Sequence, residues 1–168
     1  MKYIICVGTN MGDRKQNIEH AVEALNNIPY TDVIKTSSIY ETEPVDYLRQ
    51  ENFYNAIFLV KTKFNPNEML GICLGIESGL GRIRGIKCGP RIIDLDIIFA
   101  ENLKIDEPNL IVPHPRYHQR RFVLEPMLEL FPSGEVFGFD FKKYIDKIDG
   151  QQIKKIDIIN QDLIADDF

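Results

Sequence analysis

The sequence predicts an α+β fold in a single domain, a ferredoxin-like β-α-β-β-α-β core with extra C-terminal helices and loops. Three observations lead there. Four stretches rich in β-branched and aromatic residues (3–7, 32–40, 53–63 and 92–99) are interleaved with two stretches whose apolar residues recur at helical spacing. No repeat, linker or low-complexity tract interrupts them. At 168 residues, 44% of them hydrophobic, the chain is long enough for one real core and too short to expect two.

Each element has its own signal. Tyr3 to Val7 read as a buried strand, ending in the turn Gly8-Thr9-Asn10-Met11-Gly12-Asp13. That turn lacks both phosphate-loop spacings, so it reads as a strand-to-helix connection. From Asn17, Ile18, Ala21, Val22, Leu25 and Ile28 form the stripe of an amphipathic helix, which Pro29 closes. Residues 32–40 are one second strand. They lead into a loop where Pro44 has no N–H and biases Glu43 to an extended conformation, leaving backbone groups free to meet a ligand. Residues 53–63 are a strong third strand with one anomaly, Asn55, whose amide needs partners. It is either a satisfied core amide or the reader of a heterocycle edge. Asn65-Pro66 opens a second helix with a cap and a proline at the first helical position; Met69, Leu70, Cys73, Leu74 and Ile76 pack it down, and Glu77 lies near its end. Residues 81–91 are basic without apolar periodicity, and the fourth strand follows. Beyond it come a proline-bounded loop at Val112-Pro113-His114-Pro115-Arg116, a short helix from about Pro126 and a last helix capped by Asp140 and running through Lys147. A domain of 1–150 is expected to end in an acidic C-terminal tail of low order, 151–168, carrying Asp157, Asp162, Asp166 and Asp167.

The chemistry concentrates in the fourth strand. Alternation puts Ile93, Leu95, Ile97 and Phe99 on one face and Ile92, Asp94, Asp96 and Ile98 on the other, so two carboxylates project together, roughly 6 to 7 Å apart along the strand. They either sit on the solvated face of an edge strand or meet a compensating divalent cation or arginine, because ionised carboxylates hemmed by isoleucines are costly. Residues 82–121 hold eight Lys/Arg against five Asp/Glu, opposite in sign to the net charge of -5. That inversion suits polyphosphate held through metal ions. The acidic whole argues against nucleic acid or an anionic membrane as the main partner. Three cysteines without Cys-x-x-Cys spacing indicate neither a disulfide framework nor a zinc site and fit a reducing cytoplasm. The N-terminal apolar run is too short for a signal peptide, and no run of about 18 apolar residues suggests a membrane span.

Taken together, Gly-Pro-Arg-Ile-Ile-Asp-Leu-Asp-Ile-Ile (89–98), Val-Pro-His-Pro-Arg (112–116), Arg-Phe-Val-Leu-Glu-Pro (121–126), Gly8-Thr9-Asn10-Met11-Gly12 and Phe53-Tyr54-Asn55-Ala56 are specific. With them the chain resembles the 6-hydroxymethyl-7,8-dihydropterin pyrophosphokinase family of folate biosynthesis, from about residue 3 to about residue 150. A cytoplasmic monomer acting on small molecules is expected, and the resemblance implies ATP as co-substrate. It implies transfer of the β,γ-diphosphate of ATP to the pterin hydroxymethyl group with release of AMP. Asp94 and Asp96 would bind two Mg²⁺, while Arg82 and Arg91 would stabilise the transferred group. Arg84 and Lys87 would close over the phosphates, Arg91, His114 and Arg120 would contact ATP, and Leu70, Glu77, Ile97 and Ile111 would surround the nucleoside. Phe53 and Phe122 would sandwich the pterin, Asn55 would bond its edge, and Thr42, Pro44 and Val45 would complete its polar shell. Lys87 and Cys88 stand where the family often has Arg-Trp, and Asn109 where it often has arginine. The alternative of a different class is an RNA-binding module, which shares the element order and stacks bases on sheet aromatics. The acidic charge and the absence of the RNA-recognition strand motif count against it. A two-metal nucleotidyl transferase, releasing pyrophosphate instead of AMP, is a second rival.

Overall fold

The computed structural model describes residues 1–44, 49–81 and 89–167. The backbone runs β1 (Lys2–Thr9), α1 (Arg14–Asn26), β2 (Thr31–Thr36), β3 (Ile39–Thr42), β4 (Phe53–Thr62), α2 (Pro66–Gly79) and β5 (Asp94–Ala100). It continues through β6 (Ile105–Glu107), β7 (Leu110–Val112), α3 (Arg121–Leu130), β8 (Glu135–Val136), β9 (Phe139–Asp140) and β10 (Ile153–Asp157). Six strands form one sheet in the order β10-β3-β4-β1-β5, with β2 pairing β4 on the same side as β3, and every described pairing in it is antiparallel. This is the expected mixed α/β single domain, and the strand order is compatible with the ferredoxin-like arrangement. Among the described residues no helix is long and apolar enough to cross a membrane.

The sheet is covered on both faces, which is why β1 reads as an unbroken apolar run instead of an alternating one. Tyr3, Ile5 and Val7 pack with α1 and α2, whereas Ile4 and Cys6 pack with α3 and Phe141 on the other side. The second helix begins as its sequence requires: Asn65 Oδ1 accepts from the Glu68 N–H and Glu68 Oε1 from the Asn65 N–H, a reciprocal cap ahead of Pro66. The first helix starts earlier than its apolar stripe, at Arg14, because Asp13 caps it through the Gln16 N–H at 3.1 Å.

Four expectations are corrected. The second strand is broken in two at Ser37-Ser38, where the Ser37 hydroxyl replaces a backbone acceptor by taking the Ile57 N–H at 2.8 Å. Phe99 does not share a face with Leu95 and Ile97. The pairing steps from Ile5↔Ile97 to Ile4↔Phe99, and the extra residue, Ile98, is a bulge that turns Phe99 into the core beneath α3. The third helix begins at Arg121 and carries Pro126 inside it, because its buried stripe of Val123, Leu124 and Met127 starts ahead of the proline; Lys142–Lys147 is a 3-10 turn. Residues 151–167 are built into the fold. β10 pairs with β3, Ile159 is fully buried, and Asp167 pairs with Lys2 and Lys61 at 3.3 and 3.0 Å.

Candidate active site

The C-terminal end of β1 and the starts of β4 and β5 border a cavity of about 570 Å³, on the face of the sheet that α3 covers. Strand register assembles it. Gly8 pairs with Asp94 on one side and Asn55 on the other, and Cys6 with Asp96, so the two carboxylates and the amide flank a residue with no side chain. A Cβ on Gly8 would lie 2.8 Å from Asn55 Oδ1, which is why the approach needs glycine. Asn55 is buried and donates to Thr42 Oγ1 at 2.7 Å, so it is a partnered core amide that also lines the cavity.

Arg91 is firmly held at both its backbone and its side chain. Asn10 grips the backbone of Arg91 twice, donating its own N–H to the Arg91 carbonyl at 3.1 Å and accepting the Arg91 N–H on Oδ1 at 2.9 Å. The Arg91 guanidinium then meets Asp94 at 3.1 Å and lies 5.2 Å from the Phe53 ring centre. Arg120 stands 3.9 Å from Asp96 and 5.4 Å from the Phe122 ring centre. His114 donates its N–H to the Ile98 carbonyl and accepts the Arg116 N–H on Nδ1 at 3.1 Å, an arrangement that leaves the ring proton on Nε2. Burial, with Arg120 nearby, pushes this imidazole down to about 4, so it is neutral at physiological pH. Burial and the neighbouring Asp94 push the Asp96 carboxyl well above the usual carboxylate range against the pull of Arg120, with Glu77 adding to the rise and Arg91 opposing it.

Arg91, Asp94, Asp96, His114, Arg120, Thr42, Phe53, Asn55 and Phe122 all line this one cavity. Leu70 and Ile97 instead pack in the helix-side core, Ile111 is exposed on β7, and Asn109 lies exposed between β6 and β7. Glu77 is buried and accepts the Leu95 N–H at 3.0 Å, bracing β5 from behind the aspartates. Pro44 is buried beside Thr42, whereas Val45, Arg82, Arg84, Lys87 and Cys88 lie outside the described residues. The cavity also takes in Gly8, Glu43, Arg116, Gln119 and Gln151. Arg116 had a signal, a second cation two residues after His114. Gln151 had none, because it is far away in sequence.

Among the described residues, no three Asp, Glu, His or Cys side chains group as a metal cage. Magnesium seldom uses one, binding through one or two carboxylates, water and substrate phosphates. Two carboxylates on one strand, with Asp96 raised first by burial and then by the charge of Asp94, fit a hard divalent cation.

A family model described as 7,8-dihydro-6-hydroxymethylpterin-pyrophosphokinase (HPPK) matches residues 4–132. The 2-amino-4-hydroxy-6-hydroxymethyldihydropteridine pyrophosphokinase of Bacillus subtilis (strain 168) is 44% identical over 126 residues, 75% of each chain. The enzyme of the same name from Methylorubrum extorquens is 33% identical over 151 residues, 90% of this chain and 96% of the relative. A crystal structure of an HPPK-DHPS in complex with substrates matches with a TM-score of 0.70 at 15% identity, over 87% of this chain and 43% of that one, a likeness of fold alone. With most of its length matched by the family model and the carboxylates, cations and aromatics gathered in one cavity, the chain belongs to the 7,8-dihydro-6-hydroxymethylpterin-pyrophosphokinase family.

Proposed function

We propose that this chain transfers the β,γ-diphosphate of ATP to the hydroxymethyl oxygen of 6-hydroxymethyl-7,8-dihydropterin, releasing AMP and the pterin diphosphate. The observation that carries this is the convergence of Asp94 and Asp96 with Arg91, Arg120 and His114 in the cavity that also holds Phe53, Phe122 and Asn55. Phosphoryl transfer depends chiefly on alignment and on charge stabilisation, which rigid guanidinium forks supply. Arg91, fixed at its backbone by Asn10, would hold the transferred group, and Arg120 and the His114 Nε2–H would hold the remaining phosphate oxygens. Arg82, Arg84 and Lys87 would complete that shell.

Asp94 and Asp96 would hold two Mg²⁺ brought by the nucleotide. Bound there, the ions would neutralise phosphate charge and lower the pKa of the attacking hydroxyl, so no dedicated protein base is required. Leu70, Glu77, Ile97 and Ile111 lie off this cavity, on the helix side of β5 and on β7, so a nucleoside bordered by them would extend around the β5 edge of the sheet. The pterin would stack between Phe53 and Phe122, with Asn55 on its edge and Thr42, Pro44 and Val45 closing the polar side. The RNA-binding alternative loses its platform, because the sheet face that such modules leave open is packed here against Val123, Leu124, Met127 and Phe141.

The test is incubation with ATP, Mg²⁺ and 6-hydroxymethyl-7,8-dihydropterin, followed by analysis for AMP and the pterin diphosphate. Asp94→Ala and Asp96→Ala should each lower turnover at least about 100-fold while unfolding remains cooperative. Near-normal turnover in both variants removes the metal role, and pyrophosphate in place of AMP selects the nucleotidyl-transferase rival.

A further inference from the structure

Beyond the residues that the family model matches, the chain returns to the cavity at Gln151. Its side-chain amide brackets the turn that carries Arg120. Oε1 accepts the Arg121 N–H at 3.0 Å and Nε2 donates to the Gln119 carbonyl at 2.9 Å. The Arg121 N–H is an orphan donor at the start of α3, where Arg120 at the N-cap offers no side-chain bond of its own. The guanidinium of Arg121 returns the clasp, donating to the Gln151 carbonyl at 3.0 Å and to the Ile148 carbonyl at 2.6 Å. Two residues further on, Ile153 pairs with Thr42, the acceptor of the Asn55 amide. One short segment therefore grips both the turn bearing Arg120 and Phe122 and the strand bearing Thr42.

We infer that Gln151 is a positioning residue, holding Arg120 and Phe122 at a set distance from Thr42 and Asn55 and so setting the fit of the pterin between them. The inference rests on the proposed reaction. Its physical ground is that the Arg120 side chain is weakly held, while its backbone, bonded within the turn to Tyr117, Val123 and Leu124, is tied to the strand bearing Thr42 through the segment of Gln151. The contact with Asp96 is 3.9 Å long and partly exposed, a kind of pair that contributes little, whereas the residues on either side of Arg120 are both bonded to one amide.

Gln151→Ala and Gln151→Met test this, the second keeping bulk while removing both amide bonds. The Michaelis constant for the pterin should rise about tenfold in each, the effect of two neutral hydrogen bonds, with the unfolding temperature within about 5 °C of the wild type. In the wild type the Arg121 amide should exchange slowly with solvent deuterium, and in Gln151→Met it should exchange freely. An unchanged pterin constant in both variants overturns the inference whatever happens to stability, and so does an effect confined to Gln151→Ala, which would mean space-filling. Rapid exchange of the Arg121 amide in the wild type overturns it without reference to activity. A wild-type chain that releases no AMP is a different failure, visible before any substitution, and it removes the reaction itself.

Discussion

Gly8 shows how little of a residue's purpose need lie in its own side chain. Its neighbour across the ladder, Asn55, can point into the cavity only because position 8 lacks a Cβ. Gly8→Ala would force that amide to give way at a contact of 2.8 Å, and the nearest escape breaks the bond to Thr42. We expect pterin affinity, read from the ligand's intrinsic fluorescence, to fall at least about tenfold, with a loss of stability of about 1 to 3 kcal/mol from overpacking. Asp94, Asp96 and Asn55 were legible in the sequence because a polar group inside an apolar strand must be explained by a partner. Gly8 and Asn10 were not, although their motif was visible. A glycine spared for an amide on another strand, and an asparagine that clamps a backbone 81 residues away, acquire meaning only from the pairing.

The elements most easily read were those with local signatures, such as the capped start of α2 and the aromatic run of β4. Those misread were decided by contacts between elements. A bulge at Ile98 is invisible to a period of two, and the break after β2 is held open by a carboxylate from α3. That carboxylate, Glu129, accepts the Ser38 N–H, the Ser38 hydroxyl at 2.7 Å and the Tyr40 hydroxyl at 2.6 Å. Burial raises its pKa, but the bonds from Tyr40 and Ser38, with Lys155 nearby, outweigh it and leave the group below its ordinary value. A folded value below the unfolded one means that the unfolded chain takes up the proton first. The stabilisation is therefore complete above the ordinary value of 4.5 and is lost as pH falls through the lower folded value. Glu129→Gln should cost about 1 to 2 kcal/mol near neutrality, discounted for its partial exposure. Urea unfolding of both proteins should show that difference shrinking below about pH 4. A difference that stays constant with pH would mean that the carboxylate's charge is not what holds the two elements together.

At the scale of the whole molecule, the C-terminal segment holds two places at once, and each can be removed separately. Its acidic composition resembles a solvated tail, because the partners that order it lie more than a hundred residues back in the chain. Ile159 is fully buried in the helix-side core, the Asn160 N–H meets Glu19 at 2.8 Å, and the Ala165 N–H meets the Val33 carbonyl at 2.9 Å. The pairs of Asp167 with Lys2 and Lys61 are exposed and contribute little. Burial of the Ile159 side chain is worth about 2 to 3 kcal/mol, and two bonds to backbone N–H groups add about 1 kcal/mol each. Removal of residues 158–168 should therefore cost about 4 kcal/mol and lower the unfolding temperature by about 10 °C. It should leave the pterin Michaelis constant unchanged within about twofold at 20 °C, because β10 and the Gln151 clasp remain. Removal of residues 151–168 should carry a larger thermal loss, because the β10 ladder and the Gln151 bonds go with it, and a weakened pterin constant besides. Calorimetry and steady-state kinetics on the two truncations separate stability from site assembly. Equal pterin constants in both truncations would show that neither Gln151 nor β10 sets the pterin site.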